Sequence, residues 1–93
     1  MSYHLIFREE VRDEIESAYS WYEIHRIGLG DKFLEELGGT FNLLKSNPQY
    51  FSFIYQTRRR IILKRFPYKV VFEIFDTSVV IFSLRHDKQK PKF

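Results

Sequence analysis

The sequence predicts an α+β domain in which a two-helix hairpin packs on one face of a small, mostly antiparallel sheet, in the order β-α-α-β-β-β. Three observations carry this prediction. Apolar residues recur at helical spacing through two segments ahead of Asn47. Gly28-Leu29-Gly30 separates those segments. Three β-type runs then crowd into Arg58 to His86, broken at Phe66-Pro67-Tyr68 and at Asp76-Thr77-Ser78.

Tyr3 to Phe7 is a short β-type run, expected at a sheet edge because a single apolar cluster borders it. From Arg8 the pattern turns helical, with Val11, Ile15, Ala18, Tyr22 and Ile24 near one face. Glu9, Glu10, Asp13 and Glu14 fall in the first two turns, where the positive end of the helix dipole favours them. The helix should stop near His25 or Arg26. Gly28 and Gly30 suit a tight helix–helix turn, and Asp31 suits an N-cap or first-turn acid.

The second helix presents Phe33, Leu34, Leu37, Phe41 and Leu44 at helical spacing. Gly38-Gly39 lies in its middle at a cost of about 1 kcal/mol per glycine, which implies a close helix contact or a bend. Asn47-Pro48 ends it. Pro48 to Gln56 is an aromatic loop with room for a short strand at Phe53–Tyr55. Strands are then expected at Arg59–Arg65, Tyr68–Phe75 and Val79–Arg85. The last two are apolar on both parities, as for central strands covered in part on both faces.

The chain has 93 residues, enough for one domain (1–93) and one core. A 44% hydrophobic and 18% aromatic composition argues for a folded chain. No apolar run reaches the roughly 20 residues of a membrane span, and MSYHLIFREE lacks the pattern of a signal peptide, so a cytoplasmic protein is expected. The absence of cysteine excludes disulfides and thiolate metal sites. His4 and His25 have no second ligand at metal spacing, and no cofactor is expected.

The net charge of +3 conceals an asymmetry. Residues 1–46 carry five Lys/Arg against nine Asp/Glu, or −4; residues 47–93 carry ten against three, or +7. A basic second half points to a negative partner. Its cations gather at strand ends: Arg58, Arg59, Arg60, Lys64, Arg65, Arg85 and His86. They are expected to converge on one patch that meets a polyanion or an acidic protein segment. Arg85 shares strand parity with the polar Ser83 and is expected to be exposed, whereas His86 shares parity with Leu84. Glu73, alone among apolar neighbours, is expected to pair with an arginine. Trp21, Tyr22 and Tyr68 are expected to be packing residues.

Several strings resemble the RelE/ParE superfamily of type II toxin–antitoxin modules, whose members are often called plasmid stabilisation proteins. They are Trp21-Tyr22, Gly28-Leu29-Gly30 leading into Phe33-Leu34, Asn47-Pro48 with Tyr50, and Arg59-Arg60. The longest runs from Arg65 to Ile74 (RFPYKVVFEI), and His86 with Pro91 and Phe93 completes the set. The resemblance covers nearly the whole chain. One departure is Gln89, three residues after His86, where such proteins often carry arginine. Lys88 and Lys90 can supply charge there without a planar guanidinium fork.

The resemblance implies a RelE/ParE-like fold, a cognate antitoxin, growth inhibition and one of two targets. RelE-like members cut mRNA on the ribosome; ParE-like members poison DNA gyrase. Metal-free RNA cleavage needs a base for the 2′-OH, an acid for the leaving oxygen and cations around the phosphoryl group. The resemblance would assign Arg60, Arg65 and Arg85 to the clamp and His86 to acid–base work, with Glu73 a weaker base. Tyr68 could stack on a base. For binding an antitoxin or target, the candidates are Arg58, Arg59, Arg60, Arg65, Tyr68, Lys88 and Lys90. The Gly-Leu-Gly turn and the FPYKVVFEI string resemble the ParE side more closely, as does the lack of a dense acid–base–tyrosine cluster near the C-terminus. A non-toxic interaction module of the same fold is the remaining alternative.

Overall fold

A computed structural model describes residues 2–87. Strand β1 (His4–Phe7) leads into helices α1 (Glu9–His25) and α2 (Leu29–Ser46). A 3-10 turn at Pro48–Tyr50 is followed by β2 (Phe53–Tyr55), β3 (Arg58–Ile62), β4 (Tyr68–Phe75) and β5 (Ser78–His86). The five strands form one sheet in the order β1-β5-β4-β3-β2. Every pairing is antiparallel except β1 with β5. The expected α+β architecture is therefore present, with β1 at one edge and the short β2 at the other.

The helical hairpin closes through a carboxylate. Glu23 accepts hydrogen bonds from the backbone N–H groups of Gly28 and Gly30, each at 3.0 Å, which satisfies amides that the start of α2 leaves without helical partners. Gly28 adopts φ +89°, a left-handed conformation that glycine enters at little cost. A side chain at Gly30 would lie 2.8 Å from the Tyr19 ring. Gly30 is thus the point of close approach. Gly38 and Gly39 are not: both are exposed, with nothing within 4 Å of an added Cβ.

Val11, Ala18 and Tyr22 of α1, with Phe33, Leu37 and Leu44 of α2, bury against Val70 and Phe72 of β4 and Val79, Ile81 and Leu84 of β5. An aromatic knot joins the layers: Phe33 lies 5.3 Å from Phe66 and 5.4 Å from Tyr68, and Tyr22 lies 4.9 Å from Phe66. Two residues at core spacing, and Trp21, which was expected to pack, lie outside it. Trp21 is 54% exposed, Ile24 82% and Leu34 39%.

Two local events set the geometry of the basic half. Val71 pairs with Ser83 while Phe72 pairs with Ile81, so Phe82 is an extra residue that bulges out of β5. The bulge shifts alternation: Ile81 before it and Leu84 after it both enter the core. In addition, β3 ends at Ile62, three residues before the expected Arg65. Glu36 of α2 takes the backbone N–H groups of Lys64 (2.6 Å) and Arg65 (3.1 Å), which folds the β3–β4 connection onto the helix.

Candidate interaction site

Strand register divides the candidate residues between the sheet's two faces. Arg59 pairs with Phe72 and Ile61 with Val70, which places Arg59 on the helix side. Its guanidinium donates to the carbonyls of Gln49 (3.1 Å) and Phe51 (2.8 Å) and stacks 3.9 Å above Phe53. It ties the aromatic loop to the sheet. Arg58 and Arg60 point to the opposite face. There Arg58 stands 4.2 Å from the centre of the Phe82 ring, with its Nε 3.9 Å from Glu73. The expected pairing of Glu73 with an arginine is present. Arg8 reaches the same ring at 5.2 Å, so the bulged phenyl lies near two guanidinium groups.

Arg65 occupies a third location. Its Nε donates to Glu36 at 3.0 Å beside the end of β3. Burial pushes the Glu36 carboxyl up, but hydrogen bonds from Arg65 and the Lys64 backbone, with the Arg65 charge, outweigh it and hold the group below its ordinary value. The expected single patch of guanidinium groups does not form. Arg58, Arg60 and Arg85 share the open face by register, Arg59 faces the helices and Arg65 is held by α2.

Arg85 also departs from expectation, with only 16% of its side chain exposed. It pairs with Lys69 across the ladder, itself buried, and its Nη1 lies 3.9 Å from Glu14. The Arg85 Nε is buried and has no hydrogen-bond partner. His86 pairs with Tyr68, and the two rings meet edge-to-face at 5.4 Å. Tyr68 also packs on Phe33 and Tyr22, and burial pushes the hydroxyls of both Tyr22 and Tyr68 up. Trp21 stacks 3.8 Å from the His25 ring, whose Nδ1 lies 2.7 Å from the Trp21 carbonyl. Lys88, Gln89, Lys90, Pro91 and Phe93 lie outside the described residues.

These groups border a groove of about 740 Å³ between α1 and the ends of β4 and β5. Trp21, Tyr22, Tyr68 and Leu84 form its apolar surface, and Asp13, Glu14, Arg85 and His86 its polar one. Glu14 was legible only as one of the acids in the first two turns, yet its carboxylate accepts the Leu84 backbone N–H at 2.9 Å. No sequence signal marks that contact, because it depends on where β1 stops. Among the described residues no group of three His, Asp or Glu side chains could hold a metal ion, and no helix is long and apolar enough to cross a membrane.

The sequence signature of the ParE toxin of the type II toxin–antitoxin system, parDE, matches residues 5–91. The chain belongs to the ParE toxin family. Its fold is similar to that of a chromosomal ParDE toxin–antitoxin system from P. aeruginosa, with a TM-score of 0.80 at 12% identity over 91% of this chain and 96% of that one. It also resembles an E. coli RelE toxin variant in complex with a RelBc antitoxin peptide, with a TM-score of 0.68 at 20% identity over 96% and 87% of the two chains. An archaeal RelE–RelB complex from Pyrococcus horikoshii gives 0.54 at 16% identity over 97% and 100%. No curated protein shows significant sequence similarity to the chain. In this ParE-family member the edge-to-face pair of Tyr68 and His86 and the half-buried Arg85 sit at one groove, while Arg60 and Arg65 belong to other parts of the surface.

Proposed function

We propose that this ParE-family chain is a cytoplasmic growth inhibitor that acts on DNA gyrase and is neutralised by a cognate antitoxin. The observation that carries the gyrase reading is the dispersal of the cations a nuclease would need together. Arg65 is occupied by Glu36 and Arg60 stands exposed on β3, so of the four candidate groups Arg85 and His86 alone line the groove. A phosphoryl clamp requires such groups around one phosphorus, preorganised at hydrogen-bonding distance. Inhibition by binding requires only a complementary surface. Arg58 and Arg60, beside the Phe82 bulge, are the basic part of that surface. RelE-like mRNA cleavage on the ribosome, with Arg60, Arg65, Arg85 and His86 as catalytic groups, is the competing reading, and a non-toxic interaction module is the other.

Induction of the chain alone in bacteria separates all three. Growth arrest with gyrase-linked DNA breaks is expected, and the paired change Arg85→Ala with His86→Ala should leave those breaks largely intact. Codon-associated mRNA cuts abolished by the same pair would move the chain to the RelE-like mode. Normal growth would leave only the module.

A further inference from the structure

The amino-terminal edge of the sheet is open. Strand β1 pairs with β5 along one side, and no strand of the described residues lies on the other. Backbone groups alternate in direction along a strand, and two bonds fix the phase in β1. The N–H groups of His4 and Arg8 reach the Thr77 and Ile81 carbonyls, so the even-numbered residues face β5. Tyr3 faces outward, and its N–H is taken by the Lys45 carbonyl of α2 at 2.8 Å. Leu5 and Phe7 therefore turn their N–H and C=O groups outward, where no hydrogen bond among the described residues meets them.

The surroundings of those four groups say what would pair with them. Residues 2–7, SYHLIF, carry no charge, and β1 has neither the lysine, the proline nor the bulge that blunts many edge strands. Ile6 is half-exposed on the open face, and Phe7 nearly so on the helix side against Phe41. A groove of about 510 Å³ opens there between β1 and α2, lined by Tyr3, Leu5, Phe7, Phe41 and Lys45. The opposite edge, β2, lies next to Arg58 and Arg59, which repel a second copy of a basic chain.

We infer that β1 pairs antiparallel with β1 of a second copy, about a two-fold axis at Ile6, joining the two five-stranded sheets edge to edge. In that register Leu5 of each copy and Phe7 of the other exchange both N–H···O bonds, which uses all four outward groups. The two Ile6 residues meet across the axis on the open face, with Cα atoms about 4.5 Å apart. On the helix side, Phe7 of each copy enters the groove of the other beside Leu5. Beyond the strand, Tyr3 falls opposite Glu9 of the second copy, so Lys45, which adjoins Tyr3, approaches an exposed carboxylate. His4 falls opposite Arg8, whose charge Glu10 holds at 3.1 Å.

The test is sedimentation of the full chain on its own, together with backbone hydrogen exchange. A dimer with a dissociation constant of about 10–100 µM is expected, as suits a contact at the small end of specific interfaces. Raising the concentration should slow exchange at the Leu5 and Phe7 amides, which have no bond within one copy. Ile6→Lys and Ile6→Glu each put like charges across the axis. Each alone should weaken the dimer about tenfold or more with an unchanged monomer melting temperature, and an equimolar mixture of the two should restore it. Loss of fold would not be rescued by mixing. Ile62→Lys, a similarly exposed position on β3, should associate as wild type. A chain that stays monomeric up to about 1 mM overturns the pairing, as does a dimer indifferent to both Ile6 changes. Protection of the Leu5 and Phe7 amides only in a complex with the protein of the adjoining reading frame gives the edge to that partner and overturns it too.

Discussion

Gly30 and the Gly38-Gly39 pair are the same residue type in opposite situations. Gly30→Ala drives a methyl into the Tyr19 ring at 2.8 Å and should cost about 1–3 kcal/mol in denaturant unfolding. Gly38→Ala and Gly39→Ala meet open space in a helix interior and should each stabilise by about 0.5–1 kcal/mol. Glu36 adds a pH signature. Its carboxyl lies below the ordinary 4.5 when folded, so its contribution is complete above that value and disappears as pH falls through the lower folded value. Acid unfolding of Glu36→Gln should therefore show a shallower loss of stability below about pH 4.5 than wild type.

At the scale of elements, the three adjacent arginines on β3 should behave differently. Arg59→Ala removes two donors to loop carbonyls and should destabilise by about 1–3 kcal/mol, read as a lower denaturation midpoint. Arg60→Ala, exposed on the opposite face, should leave stability within about 0.5 kcal/mol of wild type. Register explains the contrast, and register was not legible from the string RRR. The bounds of β4 were legible because an apolar run sits between two turn signals, Phe66-Pro67 and Asp76-Thr77. The end of β3 was not, since a carboxylate from α2 draws the next two amides away from the sheet. The partial burial of Arg85 was equally hidden: helical or strand spacing reports which face a residue takes, not that a neighbouring strand stops short. Ile24 and Leu34 lay at apolar spacing yet face outward, because periodicity fixes the direction of a stripe and not its width.

For the whole molecule, specific contacts join the acidic first half to the basic second: Glu36 meets Arg65 and Glu14 approaches Arg85. Part of the positive charge is thereby spent within the fold, and less of it faces outward than a net +7 over residues 47–93 suggests. The double change Arg60→Ala with Arg65→Ala should still weaken antitoxin binding, with a strong dependence on salt if the contact lies at a solvated rim. Equal affinity for the double variant and the wild type across ionic strengths would remove both residues from that surface. The fold and the family were legible from the whole chain. The grouping of the site was not, because it turns on contacts between residues as far apart as Glu14 and Leu84.

The parallel pairing of β1 with β5 has a consequence for biogenesis. His4 aligns with Ser78, a separation of 74 residues, so β1 has no partner until β5 has emerged from the ribosome. Nascent chains released before Ser78 lack both the partner of β1 and the central neighbour of β4, and they should remain unfolded and open to proteolysis. Any inhibitory capacity that needs the completed sheet is thereby delayed until β5 is available.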